Sequence, residues 1–378
     1  MDNDAQYLSR IVDATELLIE NIPQLDGSKS KLDRADFFLK LAIAYFIQNE
    51  KPKAQNHIVE AINIISEDPD DEIFVALINI WQQIIFDGIS FEDRLSKMSG
   101  SQKRIFEIVL WYSSLIYNEI PREYVEALSC VVQGSLIFCS KKMQNNLTEN
   151  HQITITYDEE KALYYFTVDG KRLYYAGDDT DNIINNYCFV NQVEQVAHSP
   201  HLYFTDDFDI KEGDVFCDIG AGEANIALKV VDKCSKIYIF EGDDKWSKAL
   251  NATFEPYQGK TTIVKKMVSD INEGDYVSLD TYFANEKVDF IKLDVEGFEM
   301  DVLRGAEKLL KANQGIKLCV CTYHKSGDAD EVKEFLEKRG FTIEFSEGFM
   351  IFNEDLEYYM GSSPDFPYFR RGLIRAWR

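Results

Sequence analysis

The sequence predicts two regions of different class, an all-α region followed by an α/β domain with a doubly wound, mostly parallel sheet. In the first 150 residues, apolar side chains recur at every third or fourth position, which is the period of an amphipathic helix. From Asp214 onward, short apolar segments alternate with amphipathic ones, which is typical of parallel strands joined by crossover helices. We therefore expect a helical domain at 1–148 and an α/β domain at 149–378.

Clusters of Pro, Gly, Asn, Asp and Ser divide the helical region into separate helices. They lie at residues 23–30, 49–52, 68–71 and 99–101. Ala35 to Ser66 resembles one tetratricopeptide unit, but a shift of about 34 residues finds no second copy, so we favour a generic helical hairpin. We expect this domain to serve acceptor docking or homo-oligomeric assembly rather than chemistry.

A small antiparallel β-meander, rich in tyrosine, is predicted at 152–176. Apolar and polar residues alternate at 153–157, and the dipeptide Asp169-Gly170 favours a type I′ turn between two further strands. Such a meander serves either as a lid or as a cover for the edge of a larger sheet. We favour the cover.

The α/β domain is predicted to alternate strands and helices and to end in a closing antiparallel strand pair. The strands are expected at 215–218, 236–241, 261–268, 288–294, 316–322, 342–346 and 349–352. The helices are expected at 223–231, 246–254, 297–311 and 329–339. The last two strands form the expected antiparallel pair.

Composition limits what the protein can bind. The 40 basic and 65 acidic residues give a formal charge of −25, which repels nucleic acid and anionic membrane surfaces. The most apolar segment, 74–86, is too short and too polar to span a bilayer, so we expect no membrane insertion. The chain opens without a basic, apolar leader, and its seven cysteines lack metal-site spacing. These features predict a cytoplasmic protein with reduced thiols.

The segment VFCDIGAGEAN, residues 215–225, is the strongest chemical signal. Gly220, Ala221 and Gly222 follow a buried strand and open a helix, so the backbone can approach a ligand closely. Asn225 stands where a dinucleotide fingerprint needs a third small residue. Asp218 would repel a pyrophosphate but suits a ligand that carries positive charge. The loop therefore favours a cationic ligand over a dinucleotide.

Two further acids extend this predicted pocket. Glu241 ends the next strand, where a carboxylate accepts hydrogen bonds from both hydroxyls of a ribose. Asp270 stands just past the third strand, where it either accepts a hydrogen bond from an adenine amino group or merely forms a turn. Together with the glycine loop, these acids predict a site for a cationic, adenosine-type ligand.

The segment DFIKLDVEGFEM, residues 289–300, places carboxylates directly after a buried strand. One interpretation is an acidic first helical turn, favoured by the helix dipole. The other is a ligand site, since ligands bind at the carboxyl ends of the strands in open α/β sheets. We expect Asp294 to face the ligand crevice, Glu296 to lie beside it, and Glu299 and Asp301 to face water at the helix start.

Several ordered motifs resemble the FkbM family of S-adenosylmethionine-dependent methyltransferases. They are Asp-x-Gly-x-Gly at 218–222, the strand-end Glu241, SLD at 278–280, DFIKLDVEGFE at 289–299, VLRGA at 302–306 and CTYHK at 321–325. The resemblance covers about residues 190–352, and SPHLY at 199–203 also matches a segment found in part of the family. The helical region has no counterpart in the family's common core.

The resemblance implies a Rossmann-like methyltransferase sheet and S-adenosylmethionine as cofactor. The residues implied to bind the cofactor are Asp218, Gly220, Ala221, Gly222, Glu241, Gly242 and Asp270. Gly242 departs from the proline of many members, which changes the wall beside the adenine but not the ribose contact. The implied reaction is O-methylation of a hydroxyl on a sugar, a glycan or a small glycosylated precursor, as in polysaccharide biosynthesis.

An acceptor hydroxyl must lose its proton as it attacks the methyl group. The predicted catalytic residues are Asp294, His324 and Glu296, because the strand ends that carry them open on one crevice. His324, with an ordinary pKa near 6.5, suits a base at neutral pH, although it could instead be a solvated loop histidine.

The segment before the glycine loop supplies candidate substrate contacts. His198, His201 and Tyr203 are predicted to border the acceptor, unless the histidines merely cap a helix that Pro200 ends. A basic tail that contains four arginines, Arg370, Arg371, Arg375 and Arg378, could clamp a phosphate, but we favour pairing with the acidic body.

Three alternatives stay open beside this interpretation. A divalent Mg or Mn ion held by Asp294, Glu296 and His324 is possible, but we favour a site without a metal. A scaffold protein that has kept the pocket without catalysis is disfavoured by the complete set of pocket residues. A nicotinamide-dependent oxidoreductase is disfavoured by Asp218 and Asn225.

Overall fold

The structure is a computed structural model of the chain. It describes residues 3–27, 30–66, 72–98, 100–116, 120–121, 123–132, 137–144, 154–177, 194–284, 286–351 and 369–378. The chain forms two compact units, residues 1–141 and residues 142–378. The predicted boundary at 148 falls among residues 145–153, outside the described residues.

The first unit is helical, as the sequence predicts. Its helices are α1 (Asn3–Leu25), α2 (Lys31–Ile47), α3 (Lys51–Ser66), α4 (Glu72–Phe86), α5 (Phe91–Lys97), α6 (Gly100–Ser114) and α7 (Tyr124–Val132), followed by a two-residue strand, β1 (Phe138–Cys139). Four of the interhelical breaks fall at the predicted positions, whereas the breaks between α4 and α5 and between α6 and α7 were not predicted. Among the described residues no single helix has the length and apolar character to cross a membrane, and α4 with α5 meets that test only as a pair bent by 93°.

A buried lysine joins two helices of this unit. The ammonium of Lys40 lies 2.6 Å from the Asp36 carboxylate, one helical turn away. The ammonium also donates hydrogen bonds to the carbonyls of Ser113 at 3.1 Å and Leu115 at 2.7 Å. Helix α2 is therefore tied to the end of α6 by a charged group that the apolar pattern alone does not reveal.

The second unit contains the predicted doubly wound sheet, with seven strands in the order β12-β15-β11-β10-β5-β6-β7. Its strands are β5 (Val215–Ile219), β6 (Lys236–Phe240), β7 (Thr261–Val264), β10 (Phe290–Leu293), β11 (Lys317–Cys321), β12 (Thr342–Phe345) and β15 (Leu373–Trp377). Strands β11, β10, β5, β6 and β7 are parallel neighbours, and β15 runs antiparallel to β11 and β12. The predicted fold class is confirmed.

The helices and minor strands of this unit complete the fold. The helices are α8 (Lys141–Gln144), which crosses the unit boundary, α9 (Asn225–Val230), α10 (Asp244–Phe254), α11 (Leu279–Tyr282), α12 (Glu299–Arg304), α13 (Glu307–Ala312) and α14 (Asp328–Glu337). The minor strands are β8 (Met267–Val268), β9 (Tyr276–Val277), β13 (Phe349–Ile351) and β14 (Phe369–Arg370). The predicted helix 297–311 is divided at Gly305, which packs so closely on Ser269 that a side chain would lie 2.2 Å from its carbonyl oxygen.

The closing antiparallel pair differs from the predicted one. Strand β12 pairs with β15, whereas β13 pairs with β14. The sequence had suggested that 342–346 pairs with 349–352 and that the arginines after 369 form a tail. Because arginines are frequent in this segment, the sequence did not indicate strand β15, in which Leu373, Ile374 and Ala376 are fully buried.

The β-meander forms as predicted, from β2 (Thr156–Asp158), β3 (Leu163–Val168) and β4 (Lys171–Tyr175). Asp169 and Gly170 both have positive φ, 49° and 77°, as a type I′ turn requires. The backbone N–H of Tyr174 donates to the Thr253 hydroxyl at 3.0 Å, and Tyr175 packs edge-on against Trp246. The meander therefore covers helix α10.

The segment before β5 packs into the second unit through aromatic rings. Phe204 and Phe208 lie 5.4 Å and 5.3 Å from the ring of Phe290, and Phe208 lies 5.8 Å from that of Trp377. The sheet domain thus begins well before its first strand.

We expect a fragment of residues 142–378 to fold without the helical unit, because all strands of its seven-stranded sheet lie within that range. Circular dichroism should show one cooperative thermal transition. A shorter fragment that starts at Lys211 lacks Phe204 and Phe208. Its free energy of unfolding should be lower by at least about 3 kcal/mol, because losing one large buried side chain usually costs that much. Equal stability of the two fragments would contradict the assignment.

Candidate active site

Three adjacent parallel strands bring the predicted residues to one edge of the sheet. Asp218 lies near the end of β5, Asp294 follows β10, and His324 follows β11. Strand β10 lies between the other two, with Lys292 opposite Asp218 in the register. The carboxyl ends of these strands therefore hold the candidate site, as expected for an open α/β sheet.

The glycine loop lies directly against the segment after β10. Gly220 has a φ of 69°, and a side chain there would lie 1.7 Å from the backbone oxygen of Asp294. Only glycine fits this position. The N–H groups of Gly220 and Ala221 both donate to the Phe240 carbonyl, at 3.0 Å and 3.2 Å. The loop is thereby held against β6 as well.

The predicted ribose acid is attached to the same loop. The backbone N–H of Gly222 donates to one oxygen of Glu241 at 2.8 Å, and the N–H of Asp243 donates to the other at 2.7 Å. The carboxylate is partly exposed. Two backbone donors fix its orientation and leave further acceptor capacity for a ligand.

The two remaining predicted cofactor residues lie farther along the sheet. Gly242 faces Met267, whose Cγ would lie 2.6 Å from a side chain placed at 242. Asp270 is exposed and lies 3.5 Å from the guanidinium of Arg304. Their roles stay predictions.

Lys292 is a member of the site that the sequence reasoning missed. Its buried ammonium lies 3.2 Å from Asp218 and 4.0 Å from Asp294, and donates to the Gly220 carbonyl at 2.7 Å. Burial alone lowers the pKa of Lys292, but the two carboxylates outweigh it and raise the pKa above its ordinary value. The signal in the sequence is a single lysine within the apolar strand FIKL.

Asp294 is the centre of the site. One carboxylate oxygen, Oδ2, accepts a hydrogen bond from the Tyr203 hydroxyl at 2.9 Å, and the other, Oδ1, lies 3.4 Å from the hydroxyl of Tyr323 and from Nε2 of His324. Burial raises the pKa of Asp294, yet Lys292 and the two neighbouring imidazoles reverse this and lower it well below its ordinary value. The carboxylate is therefore ionised at neutral pH.

His324 is fully buried among carboxylates, which excludes the solvated-loop interpretation. Its Nδ1 lies 2.9 Å from Glu299, and its Nε2 lies 3.4 Å from both Asp294 and Glu296. Although burial lowers the pKa of His324, Glu299 and the other two acids raise it to about 9. This value departs from the ordinary 6.5 because three acids surround one ring, which the sequence did not reveal.

The prediction that Glu299 faces water is also wrong. Its side chain is 1% exposed, and Oε1 accepts backbone N–H groups of Val295 at 3.1 Å and Gly297 at 3.3 Å besides contacting His324. Helical spacing did not indicate this orientation, because the Glu299 side chain folds back to accept hydrogen bonds from the loop before the helix. Asp301, by contrast, is partly exposed and pairs with Arg304.

Of the predicted substrate residues, the structure brings two to Asp294. His201 is buried; its Nδ1 contacts Glu194, and its Nε2 lies 3.8 Å from Asp294 and 3.3 Å from the Tyr203 hydroxyl. His198 instead pairs with Glu347 at 2.5 Å. The arrangement around Asp294 thus includes Glu194, which the sequence reasoning missed.

Two arginines of the predicted basic tail donate hydrogen bonds to backbone carbonyls near the site. Arg370 donates to the carbonyls of Tyr323 at 2.9 Å and His324 at 2.6 Å. Arg375 donates to the carbonyls of Leu202 at 2.5 Å and Tyr203 at 3.3 Å. The phosphate-clamp alternative is therefore not supported for these two side chains, whose donors hold the backbone of the site.

We expect NMR titration of protein freed of divalent ions to give His324 a pKa of about 9. Because this folded-state value lies above the unfolded value near 6.5, protonation stabilises the fold fully below pH 6.5, by about 3 kcal/mol. That contribution is lost as the pH rises through 9. In Glu299→Gln the pKa should fall and the loss should shift to lower pH, whereas Asp301→Asn should change neither. An unshifted His324 pKa in Glu299→Gln would refute this account of the raised pKa.

The chain matches a family model described as the methyltransferase FkbM domain over residues 145–343. A comparison with curated proteins finds no match. Solved structures with a similar fold include a precorrin-6y C5,15-methyltransferase from Geobacter metallireducens GS-15, at 13% identity over 44% of this chain and 82% of that one, with a TM-score of 0.31.

Two other similar structures are methyltransferases as well. One, from Pyrococcus furiosus, is 17% identical over 51% of this chain and 81% of its own, with a TM-score of 0.30. The magnesium protoporphyrin IX methyltransferase from Synechocystis PCC 6803, with bound S-adenosylmethionine, is 17% identical over 44% and 71%, with a TM-score of 0.28. Scores this low describe a partial likeness, so the assignment depends on the family model, which matches more than half of the residues. The chain belongs to the FkbM methyltransferase family.

Proposed function

We propose that this protein is an S-adenosylmethionine-dependent O-methyltransferase that methylates a hydroxyl of a sugar, a glycan or a small glycosylated precursor. The main support for this proposal is that the predicted cofactor loop directly contacts the acidic cluster around Asp294. Gly220 lies against the backbone of Asp294, and Lys292 contacts both. A cofactor held by the glycine loop would therefore lie beside the acids that face the acceptor.

The residues present fit this cofactor. When bound, S-adenosylmethionine supplies a methyl group on a positively charged sulfur. The loop at 220–222 offers a side-chain-free approach, and Glu241 offers a partly exposed carboxylate with spare acceptor capacity. The match to the methyltransferase FkbM domain over residues 145–343 supports the same choice here.

On the acceptor side, Asp294 is the residue best placed to hold a hydroxyl. Its carboxylate is ionised and 17% exposed, and Tyr203 and Tyr323 hold its orientation. Without a bound metal ion, His324 is protonated on both ring nitrogens at neutral pH because its pKa is about 9, so it stabilises Asp294 rather than acting as the base. We propose Glu296, His201 and Tyr203 as residues that position the acceptor.

Other parts of the proposal concern setting and partners. The helical unit would dock the acceptor or join copies of the chain. A cytoplasmic location fits the cysteines among the described residues, all of which are buried free thiols. The formal charge of −25 supports a small-molecule or glycan acceptor over nucleic acid.

Glu241→Ala should weaken binding of S-adenosylhomocysteine by about 1.5–3 kcal/mol, the usual contribution of hydrogen bonds to a charged group. Isothermal titration calorimetry measures this on the full chain. Glu255→Ala, at an exposed acid that pairs with Lys161, is the control and should bind as the wild type does. Equal affinity in both variants would place the ribose elsewhere and defeat the cofactor assignment.

Asp294→Asn should lower kcat by about 10²–10⁴, since the amide keeps the shape but does not hold the hydroxyl proton. Affinity for S-adenosylhomocysteine should stay nearly unchanged. His324→Ala should be the milder lesion. If His324 is the base instead, wild-type kcat should rise with pH until about 9, and His324→Ala should remove that rise.

A further inference from the structure

We propose that Asp294, Glu296 and His324 bind a hard divalent cation of the Mg²⁺ or Mn²⁺ class, with Glu299 orienting the imidazole. The proposal deepens the proposed function and rests on it only for the role of the ion. The binding site itself follows from the positions of these four side chains.

Two carboxylate oxygens, from Asp294 and Glu296, lie close to one ring nitrogen of His324. Nε2 of His324 lies 3.4 Å from Oδ1 of Asp294 and 3.4 Å from Oε2 of Glu296. An ion with ligand bonds of about 2.1 Å holds neighbouring ligand atoms roughly 3.0–3.4 Å apart, in octahedral or tetrahedral geometry. The two separations from Nε2 therefore match those between neighbouring ligand atoms of a bound ion.

Glu299 makes this histidine a directed ligand. Histidines that bind metals usually donate their second ring N–H to a carboxylate, which fixes the tautomer and the ring orientation. Here Nδ1 faces Oε1 of Glu299 at 2.9 Å, so Nε2 is the nitrogen turned toward Asp294 and Glu296. Backbone donors at Val295 and Gly297 already hold the same oxygen, which suits an orienting role rather than ligation.

The opposite side of Asp294 is unsuited to a cation. Two groups of potential ligand atoms lie within 4.8 Å of one another: Asp294 with Glu299 and His324, and, on the opposite side, Asp294 with His201 and Cys321. However, the ammonium of Lys292 lies 4.0 Å from Oδ2 of Asp294 and would repel an ion there. Oδ1 instead lies beside Nε2 of His324, which is also close to Glu296, and the 71% exposed side chain of Glu296 leaves a route for an ion to enter.

The charge of the site also favours a cation. Asp218, Asp294, Glu296, Glu299 and Glu194 face the ammonium of Lys292 and two imidazoles. Negative charge is in excess even when both rings are protonated. Two carboxylates with a single imidazole suit Mg²⁺ or Mn²⁺ better than a softer ion. Such an ion would bind the acceptor oxygen and lower the pKa of the hydroxyl beside the methyl donor.

Titration of the full-length, EDTA-treated protein with Mn²⁺, followed by electron paramagnetic resonance, tests the proposal. We expect one site per chain and a nitrogen coupling from the imidazole in the pulsed spectrum. His324→Ala should remove the coupling, and Glu296→Gln should weaken binding at least about tenfold. Glu299→Gln should weaken it by about 10–100-fold while retaining the coupling.

Asp301→Asn is the matched control, since Asp301 lies in the same helical turn as Glu299 but pairs with Arg304. It should bind Mn²⁺ as the wild type does. No site in the wild type, or equal affinity in Glu296→Gln and Asp301→Asn, would overturn the proposal. Because Glu296 is exposed, this comparison holds even if His324→Ala fails to fold.

Calorimetry with S-adenosylhomocysteine on the same metal-free protein separates the two proposals. Cofactor binding without Mn²⁺ binding would refute the metal site and leave the proposed function in place. Mn²⁺ binding without cofactor binding would refute the proposed function and leave the metal site in place.

Discussion

The buried ammonium of Lys292 is the contact on which the rest of the site depends. It contacts the glycine loop at the Gly220 carbonyl, the neighbouring strand β5 at Asp218, and the acceptor side at Asp294. Two carboxylates packed this closely without a cation would repel each other and lose hydration, at a cost of several kcal/mol. One lysine in the middle of β10 therefore makes it possible to place a cofactor loop and an acid cluster side by side.

Asp294 consequently has two different faces. On one side are Lys292, Tyr203 and His201, which supply positive charge and hydrogen-bond donors. On the other side are His324 and the glutamates, of which Glu296 is largely exposed. The first face holds the carboxylate in its ionised form, and the second leaves it accessible. This asymmetry gives a single side chain both a fixed position and a function.

Much of this architecture follows from local patterns in the sequence. Periodicity placed the helices and most strands, and glycine and acid positions at strand ends indicated the loop, Glu241 and Asp294. What local patterns could not supply were partners distant in the chain. Lys292 contacts a carbonyl 72 residues away, and Arg375 one 172 residues away. Charged residues are expected at the surface, so the sequence did not indicate that Glu299, Arg370 and Arg375 are buried.

The position of β15 has a consequence for how the domain folds. Among the described residues, strand β12 is hydrogen-bonded to the sheet only through β15, although β15 follows it in the sequence. The strands on this side of the sheet therefore cannot pair in chain order. Strand β12 can pair only after residues 373–377 have paired with β11. Arg370, from the same segment, fastens the loop that carries His324. Because such long-range closures are slow, the outer sheet and the site should reach their final form together, late in folding.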